Sequence, residues 1–99
     1  MEQAMRKHGR TDANQSAIVK ALRLAGASVA ITSEMGGGFP DLVVAKHGIT
    51  FMVEVKDPTA AKADRQLTPD QKNFHESWRG KIFVVETVEE ALQILAANT

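Results

Sequence analysis

The sequence contains no cysteine, which excludes disulfides, cysteine nucleophiles and thiolate metal sites. No apolar run approaches the ~18 residues of a membrane span, so no membrane partner is expected. The opening stretch MEQAMRKHGRTDANQ has basic residues but no apolar segment after them, so it is not read as a secretory signal. A cytoplasmic protein is the expectation. Internal repeats and low-complexity segments are missing. So are a Gly-rich P-loop and a serine–histidine–acid grouping, which disfavours an NTPase or a protease and gives no reason for a nucleotide cofactor. Charge of one sign is not in excess either, with 12 Lys and Arg against 12 Asp and Glu. That balance is uneven along the chain. Residues 86–99 carry Glu86, Glu89 and Glu90 and no basic residue, which leaves residues 1–85 with a net charge of +3. A positive remainder is compatible with a nucleic-acid partner without proving one.

What is present fits one soluble domain. The chain has 99 residues, 43% apolar and 24% charged, a composition ordinary for a globular fold. Thr11 or Asp12 can cap a first helix, with Asp12 and Gln15 resembling a capping box. Ala17, Ile18, Ala21, Leu22 and Ala25 gather on one face of it at helical spacing, Asn14 falls near the centre of that face, and Lys20 points away. Gly26 is the stop. Residues 27–32 read as a short strand, followed by a loop over 33–40 that holds three consecutive glycines. DLVVAK (41–46) and ITFMVEVK (49–56) are strands joined by His47-Gly48, a hairpin signal. Residues 57–67 are polar, contain Pro58 and read as a loop. Thr68, Pro69 and Gln71 open a second helix, T-x-x-Q, running through Phe74 and Trp78 to Gly80. KIFVVE (81–86) is a further strand. Thr87-x-x-Glu90 caps a last helix with Val88, Ala91, Leu92 and Leu95 inward. The order αβββαβα predicts an α/β domain with a mixed central sheet flanked by helices.

The hairpin carries the sharpest chemical inference. A two-residue loop at His47-Gly48 sets Lys46 opposite Ile49, and the same register sets Asp41 opposite Glu54. Directly opposed side chains share a face with Cβ atoms ~4.5–5.5 Å apart. Lys56 projects from that face too. Leu42, Val44, Phe51, Val53 and Val55 take the other, without a charge among them. Two facing carboxylates repel unless a cation lies between them. A lysine stands beside them, and a divalent ion would complete the neutralisation. Two carboxylates and a backbone carbonyl suit Mg²⁺ or Mn²⁺. The competing reading is a strand-end cluster in which Lys56 merely pairs with Glu54 or Asp57, and a three-residue loop would break the register altogether.

FPDLVV, followed thirteen residues after Asp41 by Glu54-Val55-Lys56, resembles the PD-(D/E)XK nuclease motif. The fuller set GGGFPDLVV, MVEVKD, LTPDQKNFHESWRG and IFVVETVEEAL resembles the VRR-NUC branch, especially its small stand-alone members encoded by phages and bacteria. The resemblance runs from about Thr11 to Leu95. It implies a restriction-endonuclease-like domain of the Holliday-junction-resolvase type over residues 11–99, behind a basic arm at 1–10. It implies Asp41 and Glu54 as metal ligands with the Val55 carbonyl, Lys56 as the catalytic lysine, and Gln71 beside the site. A phage protein would act in the host cytoplasm. Many relatives carry a metal-binding glutamate on the first helix. Here Asn14 and Gln15 stand in that neighbourhood, so one strongly held metal is easier to defend than two.

Other residues have two readings each. Gly37 and Gly38 within the triplet offer close backbone approach to a phosphate, or a plain connector. Arg6, Lys7 and Arg10, and also Lys62 and Arg65, are possible DNA contacts or simply solvated charges. His75, one turn after Gln71, faces the substrate or serves structure. Phe74 and Trp78 read as core anchors. The expected activity is a Mg²⁺- or Mn²⁺-dependent endonuclease on DNA, structure-selective for branched substrates such as four-way junctions and acting as a homodimer. A restriction-type sequence-specific nuclease and a non-catalytic DNA-binding module with the same fold are the alternatives.

Overall fold

A computed structural model describes residues 13–99. The basic arm with Arg6, Lys7 and Arg10, and the Thr11 or Asp12 cap, lie outside the described residues. Helix α1 (Ala13–Leu24) is followed by β1 (Ser28–Ile31), β2 (Leu42–Lys46) and β3 (Ile49–Val55). Then come α2 (Pro69–Ser77), β4 (Ile82–Val85) and α3 (Val88–Asn98). The strands form one sheet in the order β1-β2-β3-β4, antiparallel except for the parallel pair β3–β4. A parallel neighbour cannot be reached by a tight turn. The segment 56–81, with α2 in it, makes that crossover. The mixed α/β architecture is as expected. One difference is a 3₁₀ turn at Lys62–Arg65 inside the stretch read as loop.

The β2–β3 register is the one the His47-Gly48 turn dictates: Lys46 faces Ile49, Val44 faces Phe51 and Leu42 faces Val53. His47 and Gly48 have φ of 56° and 79°, the left-handed pair of a type I′ turn, whose twist matches that of the flanking strands. Leu42, Val44, Phe51, Val53 and Val55 are all buried on one face. They meet Ile18, Val19 and Leu22 of α1 and Ala91 and Leu95 of α3 in a single core. Helix α1 ends as Gly26 adopts a φ of 94°, with the Ala27 N–H donating to Leu22 O and the Gly26 N–H to Arg23 O. This is a Schellman closure, which a residue with a Cβ would strain.

Two expectations about packing need correction. The inward face of α1 is Gln15, Ile18, Val19 and Leu22, whereas Ala17 is exposed. The helix is rotated to bury the larger Val19, because apolar area and not alanine spacing decides the face. Trp78 is not a core anchor. It is 43% exposed, and no residue of α2 is buried. Trp78 stacks on Phe74 with ring centroids 5.2 Å apart, and Phe74 meets Phe39 edge-on at the same distance. The aromatic row thus fastens α2 to the loop before β2 instead of to the core, which α1 and α3 already fill. No helix among the described residues is long and apolar enough to cross a membrane.

Candidate active site

The polar side of β3 is buried as thoroughly as its apolar side at one end. Glu54 is 2% and Lys56 8% exposed, which is rare for charged residues unless they are paired. The pairing starts at Asp41, just before β2. Its Oδ2 accepts a hydrogen bond from the Val55 N–H at 2.8 Å, taking the place of a main-chain partner where the β2 ladder ends. In an extended strand a residue's carbonyl lies on the same edge as its N–H, so the Val55 carbonyl is on the Asp41 side.

Glu54 Oε2 accepts from Gln71 Nε2 at 3.0 Å and lies 3.7 Å from Lys56 Nζ. Lys56 Nζ in turn donates to Gln71 Oε1 at 2.8 Å. Burial, and then the Asp41 carboxyl beside it, push the Glu54 carboxyl up to about 8 despite the opposing pull of Lys56. An acid in that state is short of positive charge. Its Oε1 is buried and has no hydrogen-bond partner.

Gln71 sits where it does because α2 starts where it does. Thr68 Oγ1 accepts from the Gln71 N–H, and Gln71 Oε1 accepts from the Thr68 N–H, a closed capping box with Pro69 at the first helical position. One side chain therefore holds the helix start, the lysine and the glutamate at once. The capping role and a place beside the acids, which are rival readings of T-x-x-Q, coexist. Gly38 lets the loop lie on this first turn. Its φ is 82°, and a Cβ there would overlap the Asp70 carbonyl and the Gln71 nitrogen. That contact explains Gly38 without a phosphate, while Gly37 is exposed with open space around it.

Helix α1 also reaches the site. Asn14 Nδ2 donates to the carbonyl of Lys56 at 2.8 Å and to that of Glu86 at 3.2 Å, tying together the ends of the parallel strands. The Asn14 Oδ1 is buried and unpartnered. Gln15 is buried but directs its Nε2 to Ser33 Oγ at 2.9 Å, bracing the glycine loop. His75 is half-buried, and burial and then the Lys56 charge hold its imidazole below the usual histidine range. Lys62 is exposed on the 3₁₀ turn and Arg65 is half-buried there, and no contact of either joins the acids. Sequence reasoning missed the Glu86 carbonyl. The parallel β3–β4 register, Val55 beside Val85, is the signal that would have placed it next to Lys56.

The donor set decides which ion it could hold. Among the described residues no three His, Cys, Asp or Glu side chains gather as a metal cluster. Two carboxylates and a strand carbonyl remain, all hard oxygens, with one carboxylate oxygen unengaged. This fits a single Mg²⁺ or Mn²⁺ completed by water and does not fit zinc.

No protein-family model matches the chain, nor does any curated protein. A solved structure described as a "VRR_NUC domain" superposes with a TM-score of 0.63. It is 28% identical and the match covers 91% of this chain and 95% of that one. The chain therefore has the VRR-NUC fold, a nuclease-type domain, as its PD…ExK motifs had suggested.

Proposed function

We propose that the protein is a metal-dependent endonuclease that hydrolyses DNA phosphodiester bonds. The observation that carries this reading is buried Glu54 facing half-buried Asp41 with Lys56 beside them, the glutamate pushed up to about 8 and one of its oxygens left without a partner. Such a pair is costly in a merely structural cluster and is resolved by a divalent cation. Asp41, Glu54 and the Val55 carbonyl would hold Mg²⁺ or Mn²⁺, which supplies an activated water and charge stabilisation at phosphorus. Asp41 is fixed by the bond that its Oδ2 accepts from the Val55 N–H, so its carboxylate is aimed by the sheet. Lys56, anchored by Gln71, keeps its ammonium beside the reacting phosphate, orienting the attacking hydroxide and offsetting the developing charge. No side-chain nucleophile is required, so hydrolysis proceeds without a covalent intermediate.

The preferred substrate is proposed to be branched DNA, with a homodimer placing one site on each symmetry-related strand of a four-way junction. The test is cleavage of an end-labelled panel: a four-way junction, a flap, a linear duplex and a single strand. Each is incubated with and without Mg²⁺ or Mn²⁺, with Lys56→Ala as control. Symmetric, metal-dependent nicks in the junction that vanish in Lys56→Ala are expected. Cleavage of every substrate would keep the nuclease and remove the structure selectivity. Binding without cleavage under either metal would overturn the catalytic reading and leave a DNA-binding module.

A further inference from the structure

Trp78 is the chain's single tryptophan, and the chemistry described above gives it no task. It is 43% exposed yet not loose. One face lies on Phe74, with ring centroids 5.2 Å apart and planes 17° from parallel, and its main-chain N–H donates to Phe74 O at 3.0 Å where α2 ends. Its pyrrole edge lies over Gly80, where a Cβ would come within 2.8 Å of the indole Nε1. With one face and one edge taken, the exposed part is the opposite face and the benzene edge. A ring held in this way has already lost the side-chain freedom that binding would otherwise cost.

Its place on α2 says what could meet that face. Gln71, Phe74 and Trp78 stand at i, i+3 and i+7, one side of the helix. Gln71 holds Glu54 and Lys56, and Phe74 meets Phe39, two residues before Asp41. The row therefore leads out from the acids and ends at Trp78. From Gln71 that is about 10 Å along the helix, the length of three stacked bases at ~3.4 Å each. The surface around the ring is polar, with Lys72, Asn73, Glu76 and Ser77 exposed on α2 and Arg79 exposed just after it. One ring in such surroundings is too small for a protein interface, which takes ~800 Å² per partner. A nucleobase matches it in size, and aromatic rings stack bases of any sequence. Within an unbroken duplex both faces of a base are covered; a face is free where stacking is interrupted, at a branch point, a flap or an unpaired arm. Resting on the nuclease reading, we infer that the outer face of Trp78 stacks such a base of the strand being cut, about three nucleotides from the scissile phosphate. Trp78 thereby favours interrupted DNA over continuous duplex.

The test uses the full-length protein and two forms of the substrate in the panel that is cut best. One is normal; in the other, the four nucleotides on each side of the cut keep their phosphates and carry no base. Trp78 fluorescence, followed in Lys56→Ala so that the DNA stays whole, should be quenched by the normal substrate and not by the abasic one. KM for the normal substrate should rise roughly ten- to a hundredfold in Trp78→Ala, the worth of one base stacked on an aromatic ring, and recover in large part in Trp78→Phe. On the abasic substrate wild type and Trp78→Ala should be alike. Equal weakening of Trp78→Ala on both substrates, or a loss confined to the rate at saturating DNA, would overturn the inference and leave Trp78 a fastening for α2. Emission that shifts with protein concentration in the absence of DNA would overturn it too, assigning the face to a second copy of the chain. A wild type that neither binds nor cuts any DNA would remove the nuclease reading itself.

Discussion

Glu54 concentrates the tension of the site in one side chain. The fold holds its carboxyl protonated to about pH 8, so at that pH the metal-free protein carries an acid it would be more stable without. Glu54→Gln is isosteric and has no charge to desolvate. It should raise stability at pH 8 on the order of 1–3 kcal/mol, the lost pairing with Lys56 offsetting part of the gain. Chemical denaturation without divalent ions measures this. The same variant should lose Mn²⁺ binding and cleavage altogether. A variant that is less stable yet still binds Mn²⁺ and cleaves DNA would show that Glu54 serves packing alone. The presence of Asp41, Glu54 and Lys56 on one face was legible in the sequence because strand alternation and a two-residue turn leave no freedom. The depth at which they are buried was not, since it depends on what covers that face.

The element that covers it is α2, and its docking is a matter of backbone fit. Gly38 lies against the helix's first turn, and Thr68 and Gln71 close its cap. Gly38→Ala puts a Cβ into the Asp70 carbonyl at a φ of 82°, a conformation that costs an alanine ~1–2 kcal/mol before the overlap is counted. The helix must shift, and Gln71 with it. Cleavage should fall at least tenfold although residue 38 contacts neither acid, while Gly37→Ala, with open space around it, should cost only the backbone strain. Single-turnover rates on purified, folded variants would check the contrast. Equal effects at both positions would mean that the loop, not its contact with α2, is what matters. The contact of Gly38 with α2 was not legible beforehand. A glycine triplet looks the same whether it faces a phosphate, solvent or a helix, and the exposure of Trp78 depended on α1 and α3 having filled the core. The caps at Thr68 and Thr87 were legible because they are local. Thr87 Oγ1 accepts from the Glu90 N–H as read, but the Glu90 carboxylate turns to the Glu86 N–H instead of closing the box.

At the scale of the whole molecule, the site should set how stability varies with pH. Unfolded, Glu54 titrates near 4.5; folded, near 8. Between those values the native state holds more protons than the unfolded one, so metal-free stability falls as pH rises from about 4.5 to about 8 and levels off above. A divalent cation bound at Glu54, as proposed, would take the place of that proton. Saturating Mn²⁺ should therefore remove the slope and raise the melting temperature most at the alkaline end, because binding stabilises the folded state by mass action. Melting curves from pH 5 to 8.5, with and without Mn²⁺, test both statements. A metal-free protein whose melting temperature climbs over that range would contradict the raised carboxyl.

His47 and Gly48 touch nothing catalytic, yet the chemistry depends on how many of them there are. The turn lies five residues from Asp41, about 17 Å along the strand, and the ladder between is pinned pair by pair. Replacing His47-Gly48 with Asn-Gly keeps both left-handed positions and should leave activity unchanged. Inserting one residue there and forcing the pairing to slip would swing Asp41 onto the apolar face, away from Glu54. The hairpin thus counts residues for the distant acids: its composition is free to drift, and its length is not.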